Sequence, residues 1–287
     1  MFPAPFEYHR ANSLEEALEL LARFEGDAKL LAGGHSLIPT MKLRLNTPAH
    51  VIDIRNIPGF AEIRRSGDQL VIGGGTPHAA IEKSAEVQRS AAALAQAAAV
   101  IGDPQVRNMG TIGGSLAHAD PAADYPAAVL AYDAQIVAAS AEDERTIPAG
   151  EFFVDLFTTA LEEGEIIKEI RFPVDGDTVR SAYLKFPHPA SRFAVVGCAV
   201  RLTMDGNTCT DARVAFTGVA ATAFRDSGVE QALIGKTLDD AAIKTAAQQA
   251  AENDELEFME DHFASEAYRK HLAKVYVERA ICTALGR

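Results

Sequence analysis

The stretch KLLAGGHSLIPTMK, residues 29–42, decides how the chain is read. A short apolar run, Leu30 to Ala32, stops at Gly33-Gly34; His35 and Ser36 follow, and apolar residues resume at Leu37. Two glycines and two small polar groups at the end of a strand serve either a tight turn or an anionic ligand lying against the backbone. A second stretch of the same character, RNMGTIGGSLAHADPAAD (107–124), sets Gly110, Gly113 and Gly114 around Thr111, with Ser115 next. Two such loops about 80 residues apart could hold the two ends of one diphosphate. Neither follows the dinucleotide pattern GxGxxG with a later acid, and neither is GxxxxGK[ST]. A third cluster, VIGGGT (71–76), reads as a structural turn.

Outward from these loops the elements mix. NSLEEALELLARF starts with a capping signal at Asn12 or Ser13 and sets Leu14, Leu18 and Leu21 on one helical face. AKLLAG, HVIDI (50–54) and QLVIGGG (69–75) read as strands, the segment from His78 to Gly102 as one or two helices, and AQIVAAS (134–140), RTIPAGEFF and EIIKEIRFP (165–173) as further strands. The order does not alternate as a doubly wound sheet would, so the class is α+β. PVDGDTV, 173–179, clusters Pro, Gly and Asp and marks a boundary. Beyond it SAYLKF, FAVVGCAVRLTM and CTDARVAFTGV form three strands of an antiparallel meander turning at 205–207, and the tail reads as two helices.

Composition narrows the function. The chain has 287 residues, 48% hydrophobic, enough for two domains, and a formal net charge of −13 that disfavours nucleic acid and anionic membranes. The longest apolar run, Ala91 to Gly102, contains Gln96 and is too short to span a bilayer; the N-terminal residues show no signal-peptide pattern, so a cytoplasmic location is expected. Cys198, Cys209 and Cys282 are far apart and read as reduced thiols; three cysteines cannot hold a four-cysteine iron–sulfur cluster. His35 and His118 have no metal-ligand spacing, no GxSxG elbow is present, and no carboxylate pair suggests acid–base work, so no catalytic residue and no metal ligand is assigned. The residues alone give a mixed α/β protein holding a phosphate-bearing cofactor.

LLAGGHSLIPTMKLRL and MGTIGGSLAHADPAAD together resemble the FAD-binding medium subunits of molybdenum hydroxylases, the family of xanthine dehydrogenase and aerobic carbon monoxide dehydrogenase. PAPFEYHRANSLEEALELL, EEGEIIKEIRFP and the C-terminal meander are similar to it as well, so the resemblance spans the chain. It implies a vanillyl-alcohol-oxidase (PCMH)-type, two-lobed FAD-binding domain over 1–177, with lobes of about 1–56 and 57–177, then a C-terminal flavoprotein domain over 178–287 with a three-stranded antiparallel sheet and helices. Leu30, Leu31, Ala32, Gly33, Gly34, His35, Ser36 and Leu37 would wrap the diphosphate, with Thr111, Gly114 and Ser115 approaching from the second lobe. Ile101 and Ile167 would pack near the flavin, Asp124 would bond ribityl or ribose hydroxyls, Lys185 would reach the flavin, and Phe193 would stand where the carbon monoxide enzymes carry a tyrosine.

Two departures bear on substrate: Ser115 replaces a frequent Asn, and FPHPASRF differs from the lysine-rich stretch of the carbon monoxide enzymes. The implied role is electron transfer. FAD, bound non-covalently, would take electrons from two [2Fe–2S] clusters of a small iron–sulfur subunit, fed by the molybdenum cofactor of a large molybdopterin subunit. It would deliver them to a quinone, NAD⁺ or O₂, within a dimer of heterotrimers that could lie at the inner face of the membrane. Two other readings stay open: a free-standing flavin oxidase of the same fold, and an assembly protein without FAD.

Overall fold

The computed structural model describes residues 2–287. The chain opens with β1 (Glu7–Arg10), α1 (Leu14–Phe24), β2 (Ala28–Leu31), α2 (Leu37–Lys42) and β3 (His50–Asp53). The strands form a parallel sheet in the order β1-β3-β2, which requires the helical crossovers that α1 and α2 supply. Of the two cap candidates, Asn12 and Ser13, it is Ser13 that caps α1, its hydroxyl accepting from the Glu16 amide at 3.1 Å. Asp53, buried at the end of β3, accepts from Arg55 and from the Tyr8 hydroxyl at 2.6 Å. Burial pushes this carboxyl up, but Arg55 and Tyr8 hold it down at about 2. That ties the β1 edge to the centre of the small sheet.

A larger lobe follows. It contains β4 (Ile63–Ser66), β5 (Gln69–Gly73), α3 (His78–Lys83), α4 (Ala85–Ser90), α5 (Ala92–Val100), α6 (Pro104–Met109), α7 (Ile112–His118) and α8 (Tyr125–Ala131). Then come β6 (Gln135–Ala139), β7 (Glu144–Pro148), α9 (Ala149–Phe152), β8 (Phe153–Asp155), β9 (Thr158–Thr159) and β10 (Ile166–Pro173). Five strands pair antiparallel in the order β4-β5-β10-β6-β7. Ile72, Ile136 and Ile170 of this sheet share a core with Ile81, Leu94, Leu116 and Tyr125 of the helices. The segment read as one or two helices is three, because Ser84 and Ala91 both leave helical geometry.

The C-terminal part holds β11 (Val179–Pro187), β12 (Ala194–Asp205), β13 (Thr208–Thr217), β14 (Phe224–Arg225), α10 (Ser227–Leu233), α11 (Asp240–Ala247) and α12 (Glu266–Ala284). Three long antiparallel strands match the predicted meander, and the two-residue β14 extends it. Gly206 and Asn207 make the two-residue hairpin, with Gly206 at a φ of 58° that favours glycine. The sheet is covered on both faces, which explains why β12 is almost continuously apolar. Val196, Cys198 and Val200 meet the C-terminal helices, while Tyr183, Ala199 and Ala215 join the core of the larger lobe. Gln96, the polar residue within the alanine run, accepts from the amide of Tyr183 on the edge strand β11 at 2.8 Å.

The segment between β10 and β11 is bonded to its surroundings. Asp175 accepts from the Tyr132 hydroxyl at 2.6 Å, from Ser181 at 2.9 Å and from Arg201 at 2.9 Å. Burial, with the Asp175 carboxylate beside it, pushes the Tyr132 pKa well above the ordinary phenol value, so the hydroxyl stays protonated and a donor. Tyr132→Phe should lower unfolding stability by about 1.5–3 kcal/mol, the usual worth of a hydrogen bond to a charged acceptor. Urea denaturation monitored by circular dichroism measures it, and a loss near zero would mean that Ser181 and Arg201 satisfy Asp175 alone.

Candidate functional site

A cleft of about 650 Å³ lies between the two lobes and the start of β12, within the range of small-molecule and cofactor sites. Its small-lobe wall is the turn after β2. Leu30, Ala32, Gly33, Gly34, His35, Ser36 and Leu37 all face it. Leu31 does not: its side chain lies beside Ile38 against Gly34. Gly34 holds a φ of 76°, a left-handed conformation that reverses the chain into α2.

The amides of Gly33 to Leu37 donate to no protein acceptor among the described residues. Five successive N–H groups on one turn form a site for an anionic group. Lys29 and Arg192 bring positive charge to the lining, which the sequence reading did not identify.

The second glycine loop contributes differently. The Gly113 amide donates to the Gly74 carbonyl at 2.9 Å, the Gly114 amide to Thr111 Oγ1 at 3.1 Å, and the Ser115 amide to the Thr111 carbonyl at 3.0 Å. These donors are engaged within the protein, so the loop offers the Thr111 and Ser115 hydroxyls and a bare glycine surface. Its glycines also serve chain crossing. A Cβ on Gly33 would overlap the Met109 carbonyl and lie 2.5 Å from the Gly110 Cα. One on Gly113 would lie 2.6 Å from the Gly74 carbonyl oxygen, and one on Gly74 would overlap the Ile167 carbonyl. VIGGGT is therefore a packing turn, as read, and Gly74 also reaches the cleft. Gly114 is different: the nearest atoms to a Cβ there are Thr111 Oγ1 at 2.9 Å and Ala32 Cβ at 4.0 Å.

Ile101, at the C-terminal end of α5, and Ile167 on β10 give the cleft apolar walls. Phe60 and His78 join them unannounced by the sequence, since neither stands in a recognisable pattern. His78 meets the Tyr125 hydroxyl at 3.1 Å, and burial, aided by the charges of His35 and Arg107, pushes it down to about 3. It is a neutral ring at physiological pH.

Asp124 lines the cleft and is 4% exposed; Tyr183 donates to its Oδ1 at 2.6 Å and Lys185 to its Oδ2 at 2.8 Å. Burial pushes the Asp124 carboxyl up, while Lys185 and the Tyr183 hydrogen bond pull it back. Lys185 itself is not on the cleft wall. Its ammonium is buried behind Asp124 and also donates to the Val100 carbonyl at 3.0 Å, so it meets the cleft as one half of a buried pair with Asp124. Phe193 stands on the lining at 45% exposed. Its carbonyl accepts from the His188 amide at 2.8 Å, and the His188 ring accepts from the Ala190 and Ser191 amides at 3.2 and 3.3 Å.

A cleft with a free-amide turn on one lobe, a glycine surface on the other and apolar walls between fits a dinucleotide cofactor of the flavin type. Residues 4–175 match the family described as "FAD binding domain in molybdopterin dehydrogenase", and residues 181–284 match "CO dehydrogenase flavoprotein C-terminal domain". The chain belongs to the family of FAD-binding medium subunits of molybdenum hydroxylases.

It is 42% identical to the carbon monoxide dehydrogenase medium chain of Hydrogenophaga pseudoflava over 287 residues, covering 100% of this chain and 99% of that one. The 6-hydroxypseudooxynicotine dehydrogenase complex subunit alpha of Paenarthrobacter nicotinovorans is 38% identical, covering 100% and 97%. Among solved structures, carbon monoxide dehydrogenase from Hydrogenophaga pseudoflava superposes with a TM-score of 0.95 at 42% identity, covering 100% of this chain and 99% of that chain. Quinoline 2-oxidoreductase from Pseudomonas putida 86 superposes with 0.93 at 32% identity, with the same coverage.

Gly33→Val and Gly114→Val should separate the two uses of glycine. Gly114→Val should abolish FAD loading and keep the far-ultraviolet circular dichroism and thermal midpoint of the apoprotein. Gly33→Val should lose FAD and also lower the midpoint, because its side chain meets backbone that cannot yield. Flavin content and thermal melts of both variants measure this; stoichiometric FAD in Gly114→Val would make that loop a turn only.

Proposed function

We propose that this chain is the electron-transfer flavoprotein of a molybdenum hydroxylase, organised as a 1–177 FAD domain and a 178–287 C-terminal domain. The single observation that carries the reading is the cleft, whose unpaired Gly33–Leu37 amides face Thr111, Gly114 and Ser115 across the lobes. FAD supplies the redox chemistry when bound, accepting electrons from iron–sulfur clusters and releasing them to an external acceptor.

The chain's own residues bind and orient. The turn amides and the Lys29 charge receive the diphosphate, and Asp124 accepts from sugar or ribityl hydroxyls. Ile101, Ile167 and Phe60 exclude water from one side, while Phe193 shields an edge and leaves it approachable. No side chain is required to move a proton in an electron-transfer subunit; of the three histidines on the lining, His35, His78 and His118, burial holds His78 neutral.

The partners are a small iron–sulfur subunit and a large molybdopterin subunit, in a dimer of heterotrimers. Among the described residues no helix is long and apolar enough to cross a membrane. With three free cysteines, a cytoplasmic complex is the compartment we propose, in contact with the inner membrane face if the acceptor is a quinone. The relatives' names give carbon monoxide, 6-hydroxypseudooxynicotine and quinoline as substrates, although the fold of this chain superposes closely on both the carbon monoxide and the quinoline enzymes. Substrate choice is therefore assigned to the large subunit.

Co-expression with a small iron–sulfur subunit and a large molybdopterin subunit from the same genome should yield a yellow complex whose flavin is bleached by the large subunit's substrate. Acid precipitation should release all of the flavin into the supernatant. A yellow chain turning over alone, or a colourless chain within the complex, would overturn the reading.

The Asp124–Lys185 pair makes a second prediction. Lys185→Met leaves a buried carboxylate beside the cleft and should lower the flavin midpoint potential, increasingly so as pH rises and Asp124 ionises. Asp124→Asn leaves an unpaired ammonium and should raise it. A residual effect of roughly 1 kcal/mol corresponds to about 20 mV for a two-electron couple. Redox titration of the assembled complex checks the signs; shifts of the same sign, or none, would make the pair purely structural.

A further inference from the structure

The small lobe carries a cluster that the flavin site does not use. Glu7 and His9 lie two residues apart on β1 and so point to one face, and His50 on β3 sits in register with Glu7. His9 Nε2 is 3.0 Å from His50 Nδ1 and 3.8 Å from Glu7 Oε2; His50 Nδ1 is 3.4 Å from the same oxygen. The His50 ring is fixed by Phe24, stacked on it at 3.8 Å between centroids and 10° between planes. The cluster lies at the start of the parallel strands, the opposite end of the sheet from the turn that follows Leu31.

We propose that Glu7, His9 and His50 form a binding site for a divalent transition-metal ion of the zinc class, which clamps the edge strand β1 to β3. The three separations define a triangle whose centre is about 2.0 Å from every donor atom, and zinc binds imidazole nitrogen and carboxylate oxygen at about 2.0–2.2 Å. An ion fits there without rearrangement of the strands. Two imidazoles and one carboxylate suit zinc-class ions, and a fourth position stays open to water or to a group from another chain.

The contact between the two imidazoles requires a proton on one of the facing nitrogens. Binding the ion requires the other tautomer of that ring, its proton moving by way of solvent to the far nitrogen, so that the ring protons sit on His9 Nδ1 and His50 Nε2 and both facing nitrogens ligate. Without the ion the same contact is a plain hydrogen bond, which is the alternative that the experiment must exclude.

The test titrates the full-length chain, freed of metal by chelation, with cobalt(II) chloride and with zinc sulfate. One equivalent of cobalt should produce the visible d–d absorption of a four- or five-coordinate ion, and zinc should displace it. Zinc should raise the thermal midpoint of the wild type and leave that of His9→Gln and His50→Gln unchanged. Glu7→Gln, at an exposed position that preserves both imidazoles, should weaken zinc binding at least tenfold. FAD content should not change in any of the three.

Should His50→Gln misfold through loss of the Phe24 stack, His9→Gln and Glu7→Gln decide the matter. Absence of the cobalt band overturns the proposal. A band of equal intensity in His9→Gln and Glu7→Gln does so too, and identifies an adventitious ion only.

Discussion

The fold depends on polypeptide crossing polypeptide without side chains between. Gly33 lies against Met109 and Gly110, Gly113 against Gly74, and Gly74 against the carbonyl of Ile167. These crossings bring the β2 turn of the small lobe, the α6–α7 turn and two strands of the larger sheet to one place. A Cβ at any of them would meet backbone, which cannot rotate away as a side-chain end can. The lobes meet closely here, and the cleft opens beside the meeting point. Glycine at Gly33 is thus needed for packing as much as for a ligand, whereas Gly114 leaves the wall open to one.

A second constraint joins the C-terminal sheet to the same cleft. The segment from Asp120 to Asp124 forms part of the wall, and the sheet holds it. Thr217 donates to the carbonyls of Pro121 and Ala123 at 2.6 and 2.7 Å, the Gly218 amide to Pro121 at 2.7 Å, and the Ala194 amide to Ala122 at 3.0 Å. Arg269 of α12 then donates to the carbonyls of Val195 and Gly218 at 2.8 and 2.6 Å and to Asp261 at 2.6 Å. The position of Asp124 is therefore set by residues as far along the chain as α12. Its charge is set by Tyr183 and Lys185, in surroundings where an unpaired carboxylate would be costly.

This arrangement gives the C-terminal domain a physical task within a flavin-binding chain. It supplies the cation that opposes the effect of burial on the Asp124 carboxyl, the turn that presents Phe193, and the bonds that hold one wall. Burial of both sheet faces makes that support rigid, with the larger lobe on one side and the C-terminal helices on the other. The bridge through Asp175, Tyr132 and Arg201 fixes the opposite end of the same interface.

Much of this was legible in the sequence. Glycine clusters at strand ends mark reversals because few other residues take those conformations, and alternating or continuous apolar runs mark strands by how many faces are buried. The two loops, the α+β class and the meander follow from such local rules, whereas the individual cleft residues were implied by the resemblance to the flavoprotein family. Leu31 was assigned to the wall by membership of its segment, and alternation along β2 would not have excluded it, since Lys29 shares its parity and does line the cleft. Other features depend on distance along the chain. Lys185 is a charged residue in a strand until folding sets it against an acid 61 positions earlier. Phe60 and His78 reach the cleft only because the sheet carries them there, and His9 and His50 meet only through a parallel register. Local sequence determined where the chain turns and which strands are buried, because those depend on each residue's own conformational and solvation preferences. Which side chains meet, and with what charge state, was decided by tertiary structure, because pairing and desolvation belong to neighbours that the sequence does not place side by side.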